Sequence, residues 1–136
     1  MPLGPVDVYI IGFPHNRFTG EIVPAILEQV NAGVIRILDV LFVTKNDRGE
    51  IAVLTISDLG AEGAAFANVQ LIEPGSLDFE DADEIAEDLA TNSSALLIAY
   101  ENTWMAEVAA AFSRAGAVVI DQIRIPADVV NQAISN

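Results

Sequence analysis

A strand–helix–strand pattern occurs twice in the chain and constrains its fold more than any other feature. In the first copy, a strand ending at Phe13 precedes a helix, and Ala32-Gly33 then leads into a β-branched strand. In the second copy, a strand reaching Tyr100 precedes a helix, and Ala115-Gly116 leads into another β-branched stretch. Two such units in one chain, with a hairpin strand between them, are typical of a ferredoxin-like α+β sandwich.

The predicted fold is a single ferredoxin-like domain over residues 1–136, with about five strands and with helices mainly on one face of the sheet. Its elements follow the order β-α-β-β-α-β-α-β-α. Runs of β-branched and aromatic residues place the strands at 6–13, 34–44, 51–57, 95–101 and 117–125. Apolar residues at helical spacing place helices through Ile22 and Val30, Phe79 and Leu89, Trp104 and Phe112, and Val129 and Ile134. The stretch from Leu59 to Pro74 is ambiguous, and a short helix at 61–68 is one interpretation.

The strand that begins at Val34 is apolar on both faces. A sheet with helices on one face only should alternate polar and apolar residues, so this strand needs cover on both sides. An exposed apolar face of several strands would exceed the patch of a few hundred Å² that monomers usually show. We therefore predict a homo-oligomer, a dimer or larger, with Leu38, Val40 and Phe42 in its interface. The alternative is that further helices of the same chain cover the second face.

The charge balance limits the partners. Six Lys and Arg residues stand against twenty Asp and Glu residues, which leaves a formal net charge of −14. Phosphate binding needs a basic surface, so we expect no binding to nucleic acid or to anionic membranes.

Cysteine and histidine usage limits the chemistry. The chain has no Cys, which excludes disulfides, thiol nucleophiles and iron–sulfur clusters, and its single His excludes most His-rich metal sites. We expect no metal and no cofactor. No apolar run approaches the ~20 residues that cross a bilayer, and the start of the chain lacks the basic region of a signal peptide. We therefore expect a cytoplasmic protein without membrane insertion.

His15, Asn16 and Arg17 form a polar loop between the first strand and the first helix. One interpretation is an anion or substrate contact made by the Arg17 guanidinium and the free N–H groups of the helix N-terminus. We favour the alternative, a loop that caps the helix, because a single His without a second His or Cys does not build a typical metal or nucleophilic site.

Asp39 shares a strand face with apolar neighbours, so its carboxylate must be paired, hydrogen-bonded or protonated. A catalytic acid with a raised pKa is one hypothesis. The other is an ion pair with Arg36, Arg17 or Arg124, or an edge position that meets solvent. Because Asp121 repeats the pattern on the last strand, we favour an architectural role.

Glu101, Asn102 and Trp104 lie where a strand ends and a helix begins, a position at which α/β proteins often bind ligands. Asn102 is also explained as the N-cap of that helix. Trp104 is explained as a core anchor in line with Val108 and Phe112. We favour these structural explanations and retain all three residues as ligand-binding candidates.

The segment 78–88 is dense in acidic residues and is predicted to form a helix with Ser76 as its N-cap. It lacks the central Gly of an EF-hand loop, and acids near a helix N-terminus are favoured by the helix dipole. We expect a solvated helix face, with weak binding of divalent cations as the alternative.

Three stretches of the sequence resemble a bacterial, largely actinobacterial, family of small acidic proteins of unknown function. They are Phe13–Glu21, Ile35–Val43 and Tyr100–Trp104, within a resemblance that runs from about Gly4 to Ala133. That family looks like a soluble cousin of a predicted membrane-associated family, whose long Gly/Ala-rich insert is reduced here to residues 60–67. The resemblance implies no activity.

The features together favour a non-enzymatic, self-associating structural or binding protein that assembles through apolar sheet or helix surfaces. The alternative is a small-molecule-binding regulatory domain, with an unknown ligand between sheet and helices or at a subunit interface. A small dimeric enzyme of the α+β-barrel type is the third hypothesis, and Asp39, His15 and Tyr9 are the residues that it would use. We commit to no catalytic residue.

Overall fold

The computed structural model describes residues 3–16, 21–55 and 69–135. In these ranges the strands are β1 (Val6–Phe13), β2 (Ile35–Lys45), β3 (Ile51–Leu54) and β4 (Ser93–Asn102). The α-helices are α1 (Ile22–Asn31), α2 (Phe79–Asp88), α3 (Thr103–Arg114) and α4 (Ala127–Ser135), and a short 3-10 turn covers Pro14–Asn16. The protein is therefore a mixed α+β structure. The helix considered for residues 61–68 lies outside the described residues, as does Ser57.

The four strands form one antiparallel sheet in the order β1-β4-β2-β3. β4 is one of the two inner strands of the sheet, and it is buried from Ser93 through Glu101. β2 pairs with it along most of its length, apart from an irregularity at Leu38, between Ile37 opposite Tyr100 and Asp39 opposite Ala99. β1 and β3 are the edge strands of the described sheet.

Each face of the sheet carries its own apolar core. The α2 face is the one on which Leu38, Leu41, Val43, Ala95, Leu97 and Ala99 pack with Leu77, Ala82 and Ala86. The α1 face is the one on which Phe13, Ile37, Val40, Leu96, Ile98 and Tyr100 pack with half-buried residues of α1, among them Ile22 and Ile26. Alternate residues of a strand point to opposite faces, so α1 and α2 lie on opposite sides of the sheet.

This arrangement differs from the predicted one, in which the helices lie mainly on one face. The difference explains why β2 is apolar on both sides: Ile37 and Val40 face α1, while Leu41 and Val43 face α2. Helices of the same chain thus cover both faces of the central strands, as the alternative interpretation of this strand supposed.

The start of α2 shows how the acidic segment folds. The Asp81 N–H donates to Asp78 Oδ1 (3.0 Å) and the Asp78 N–H donates to Asp81 Oδ2 (3.2 Å), a reciprocal capping box. The N-cap is therefore Asp78, and the prediction of Ser76 in that role is wrong. Ala82 and Ala86 on the opposite side are fully buried, and their small side chains let the helix lie close to the sheet.

The C-terminal part of the chain differs most from the sequence prediction. The β-branched composition of 117–125 predicts the last strand, but residues 117–126 form no strand or helix in the structure. All of residues 110–135 are exposed. A strand forms only when its backbone groups find a neighbouring strand, and none of the described strands pairs with this stretch. We call residues 103–135 the C-terminal arm.

None of the helices in the described ranges is both long and apolar enough to cross a membrane.

Candidate functional site

A groove of about 530 Å³ lies between α1 and the α1 face of the sheet. Its walls are mostly apolar, and its lining residues are Tyr9, Ile11, Ile22, Ala25, Ile26, Gln29, Ile35, Ile98, Tyr100 and Asn102. The groove is open because α1 covers that face only in part, and none of the residues of α1 is fully buried.

The strand register explains why these side chains meet. Tyr9 lies opposite Ile98 in the ladder between β1 and β4, and Ile11 lies opposite Leu96. Residues opposite each other in a ladder share a face of the sheet, so β1 and β4 supply one wall together. Ile22 and Ile26 lie four residues apart on α1, on one side of the helix, and they supply the facing wall.

One end of the groove carries a polar cluster that joins β1, β4 and the C-terminal arm. Arg124 donates to Asp7 Oδ2 (2.8 Å) and to the Tyr9 hydroxyl (2.9 Å). Asn102 donates to the same Asp7 oxygen (2.8 Å). The rings of Tyr9 and Tyr100 lie 5.7 Å apart, and the Arg124 guanidinium carbon lies 5.8 Å from the centre of the Tyr9 ring.

The surroundings of this cluster keep the Tyr100 phenol protonated and the Arg124 guanidinium charged. Burial is the largest cause that raises the pKa of Tyr100, Tyr9 and Asp7 raise it as well, and Arg124 lowers it, so that the pKa is about 12. Asp7, and then Tyr9, raise the pKa of Arg124 above its usual value. Tyr100 is therefore a neutral hydroxyl at physiological pH, suited to hydrogen bonding rather than to proton abstraction.

Glu101 lies between two groove residues in the sequence, Tyr100 and Asn102, but its carboxylate is bonded within the fold. The side chain is 1% exposed. It accepts hydrogen bonds from Arg36 Nε (2.7 Å), the Gly4 N–H (2.6 Å) and Thr103 Oγ1 (3.2 Å). The hydrogen bond from Arg36 is the largest cause that lowers the pKa of Glu101, against a desolvation that raises it. Glu101 thus ties the N-terminal segment, β2 and the start of α3 together.

Asp39 is buried on the α2 face, away from the groove. Its Oδ2 accepts hydrogen bonds from the backbone N–H groups of Leu77 (2.9 Å) and Gly75 (3.1 Å). The predicted ion pairs with Arg36 and Arg124 are wrong, because Arg36 pairs with Glu101 and Arg124 pairs with Asp7. The carboxylate instead holds the loop before α2 against β2.

The candidate residues in the loop after β1 are His15, Asn16 and Arg17, and none of those that the structure describes lies at the polar end of the groove. His15 is exposed, in the 3-10 turn, with φ of +59°. Phe13 at that end of β1 lies opposite Ser94, whereas Asp7 lies opposite Tyr100, so the loop and the polar cluster are at opposite ends of the sheet. For Asn16 the structure describes the backbone alone, and Arg17 lies outside the described residues.

The start of α3 corrects two sequence interpretations. Asn102 does not cap the helix with its side chain; its amide donates to Asp7 and to the Pro5 carbonyl (3.2 Å). Trp104 is 58% exposed, and Val108 and Phe112 are exposed as well. The interpretation of this stripe as a core anchor is therefore wrong for the single chain.

The three residues expected at an oligomer interface are buried or half-buried within the single chain. Leu38 and Val40 are buried in the two cores, and Phe42 is half-buried, with its ring 6.3 Å from that of Phe13. The exposed large apolar residues of the C-terminal arm are Trp104, Val108, Phe112, Val118, Val119, Ile120, Ile123, Ile125, Val129, Val130 and Ile134. Those at 118–125 are all β-branched, which is the composition from which the sequence predicts the last strand.

The acidic residues of α2 point to solvent: Glu80, Asp81, Asp83, Glu84, Glu87 and Asp88 are all exposed. Among the described residues, no group of three or more acidic or His side chains converges in a way that could hold a metal ion.

No curated protein and no solved structure matches this sequence significantly. The model of a family of unknown function, DUF6325, matches residues 2–136, so the chain belongs to that family.

Proposed function

We propose that this protein is a non-enzymatic, self-associating structural or binding protein whose C-terminal arm forms the association surface. The exposed apolar residues of the arm support the proposal most directly. Ile120 is 95% exposed and Ile123 is 78% exposed. Burial of one such side chain contributes roughly 1.5–3 kcal/mol, so an arm with many of them gains stability when a partner surface covers it.

The use of the buried carboxylates argues against an enzyme. Glu101 and Asp39 accept hydrogen bonds from within the fold, so neither is directed at a substrate. His15 lies at the end of the sheet remote from the polar cluster of the groove. These placements leave no nucleophile–base pair among the candidates that the sequence offered.

The ferredoxin-like sandwich with five strands is our proposal for the assembled protein. β1 is an edge strand with eight residues, and an uncovered edge of this kind is a template for a further strand. The stretch 117–125 has the β-branched composition of such a strand. Assembly would then supply the neighbour that this stretch lacks in the single chain.

A small-molecule-binding regulatory domain is the second candidate, favoured by the groove beside α1. Its volume of about 530 Å³ is in the range of ligand sites, as is its combination of apolar walls with a few polar groups at one end. In this alternative a ligand, rather than a second copy, occupies the groove.

Native mass spectrometry of the protein purified from its own source separates the two functions. Self-association predicts species at multiples of the 14.5 kDa chain mass. A 14.5 kDa species that carries a retained small molecule favours the regulatory domain. Monomers alone, without added mass at any concentration, contradict both.

A further inference from the structure

We propose that two copies exchange their C-terminal arms: α3 of one copy fills the groove beside α1 of the other, and its segment 117–126 adds to the partner's β1. This inference rests on the self-association proposed above and specifies how the copies associate. Four observations carry it: the matching ends of α1 and α3, the topology of the sheet, the fit between groove and helix, and the connection from β4 to α3.

The ends of α1 and α3 are the same structure. In α1 the backbone N–H groups of residues 32, 33 and 34 donate to the carbonyls of residues 28, 30 and 29; in α3 those of residues 115, 116 and 117 donate to the carbonyls of residues 111, 113 and 112. Gly33 and Gly116 have φ of +76° and +71°, the left-handed conformation that ends a helix. After Gly33 the chain enters β2, whereas after Gly116 it enters a stretch with the composition of a strand, with which none of the described strands pairs.

The sheet topology shows where that strand would belong. β1, α1 and β2 form a crossover in which β2 lies two positions from β1, with β4 between them. If β4, α3 and the segment 117–126 repeat this crossover with the same handedness, the segment lies two positions from β4 with β1 between them. It then runs antiparallel to β1 along its outer edge, and α3 lies beside α1 on the same face.

The groove beside α1 matches the helix that this arrangement would place there. Residues Trp104, Val108 and Phe112 form an exposed apolar stripe along α3, at a spacing of four residues. α3 has 12 residues, about 18 Å of helix. The groove supplies facing apolar side chains from Ile26 and Ile98, so the unoccupied space and the unpacked stripe complement each other.

The connection from β4 to α3 indicates that the groove filled is the partner's. Residues 14–21 separate β1 from α1, but α3 begins at Thr103, directly after Asn102 of β4. A helix that folds back over its own sheet normally needs a loop of 2–6 residues. The Trp104 N–H also donates to the Val34 carbonyl (3.3 Å) at the end of the sheet, and residues 110–114 are exposed. In the proposed dimer each copy therefore places its α3 in the groove of the other, which is the arrangement of a two-fold exchanged dimer.

Within one copy Arg124 donates to Tyr9 and Asp7 of its own β1. In the proposed exchange the arm makes the same contacts with the partner's β1, and these contacts give the register of the added strand. An antiparallel pairing with Arg124 opposite Tyr9 places Ile123 opposite Ile10 and Ile125 opposite Val8. Val8 and Ile10 are both exposed on the α2 face, and Ile123 and Ile125 are exposed in the arm. The pairing brings these four side chains into contact with one another, and apolar cross-strand pairs of this kind stabilise a sheet.

A double-cysteine variant tests the exchange, since the natural chain has no Cys. We expect oxidised Ile10→Cys/Ile123→Cys to migrate as covalently joined dimers on a denaturing gel. A cross-linked monomer would show that the arm pairs with its own β1, and an absence of cross-links would show that the two strands do not pair; either result overturns the exchange. The control, Ile10→Cys/Val119→Cys, uses the same face of the segment roughly 13 Å away and should not cross-link.

A longer connection tests the same inference without cysteines. A Gly/Ser linker of about six residues between Asn102 and Thr103 should let α3 fold back onto its own groove. We expect this variant to be a folded monomer. In the control, the same linker is inserted after Asp47, in an exposed turn, and the oligomer should remain intact. An oligomer with unchanged affinity would overturn the exchange and leave self-association standing. A wild-type chain that is monomeric at every concentration would instead contradict the proposed function itself.

Discussion

The guanidinium of Arg124 lies 2.8 Å from the carboxylate of Asp7, although 117 residues separate them in the chain. This ion pair joins the C-terminal arm to the edge strand β1. Both side chains retain solvent exposure, and exposed ion pairs contribute only about 0–1 kcal/mol. The pair therefore positions the arm beside the sheet edge, but it does not provide the stability that burial of the arm's apolar residues would provide.

Replacing Glu101 with Gln should lower the free energy of unfolding by about 1.5–3 kcal/mol, the usual value for hydrogen bonds to a charged group. The carboxylate is buried and accepts three hydrogen bonds, the one from Arg36 among them. Chemical denaturation at neutral pH measures the change. Glu28→Gln, at an exposed position of α1, is the control and should have little effect; equal effects of the two changes would contradict the assigned role of Glu101.

The contribution of Glu101 should also depend on pH. The hydrogen bond from Arg36 lowers the pKa of Glu101 in the folded protein below the usual 4.5. The charged form is thus favoured by folding, and its contribution is fully present above pH 4.5 and is lost as the pH falls through the folded pKa. The difference in stability between wild type and Glu101→Gln should shrink below pH 4.5. A difference that stays constant down to acid unfolding would contradict this prediction.

Tyr100 should affect stability at the alkaline end. Burial raises its pKa from 10.0 to about 12, so the folded state holds the proton more tightly than the unfolded state. Its contribution is fully present below pH 10 and is lost as the pH rises toward 12. Wild type should lose more stability than Tyr100→Phe over this interval, as followed by denaturation at each pH. The rise in tyrosinate absorbance near pH 12 should be missing in the variant. If both proteins titrate alike, the pKa of Tyr100 is not raised in the folded protein.

Asp39→Asn should destabilise the protein by about 1.5–3 kcal/mol, because the lost charge weakens the hydrogen bonds that the Leu77 and Gly75 N–H groups donate to it. Asp47→Asn, in the exposed turn between β2 and β3, is the matched control. A variant of Asp39 that keeps its full stability but no longer retains a co-purified small molecule would assign the residue to a binding site instead.

The sequence predicted the parts of the fold that depend on local pattern. The strands around β1, β2 and β4 and the helix ends at Gly33 and Gly116 follow from β-branched runs and from the Ala-Gly pairs. Opposite placement of α1 and α2 was not predicted, because which face a helix covers depends on the path of the chain between elements rather than on the helix itself.

The candidate site was predictable only in part. Asn102 was singled out and does line the groove. Asp7 was missed because an acidic residue in a strand gives no signal until its partner, Arg124, is known to lie beside it. The exposure of Trp104 was missed for a related reason: the same apolar stripe predicts a core whether the covering surface belongs to this chain or to another.

Trp104 can report the association itself, because it is the only Trp in the sequence. It is 58% exposed in the single chain, and the proposed exchange would cover it when α3 enters a partner's groove. Its fluorescence should shift to shorter wavelength and become less accessible to a soluble quencher as the protein concentration rises. Fluorescence that stays the same from the lowest to the highest concentration would place Trp104 outside the association surface.

Sedimentation equilibrium at ~0.1 M and ~1 M salt tests the claim of apolar self-association most directly. Each copy carries a net charge of −14, and salt shortens the reach of the repulsion between copies from about 10 Å to about 3 Å. Association through the apolar arm predicts oligomers whose dissociation constant falls as salt is added. A single species of 14.5 kDa at all concentrations, or oligomers that dissociate at high salt, would contradict it.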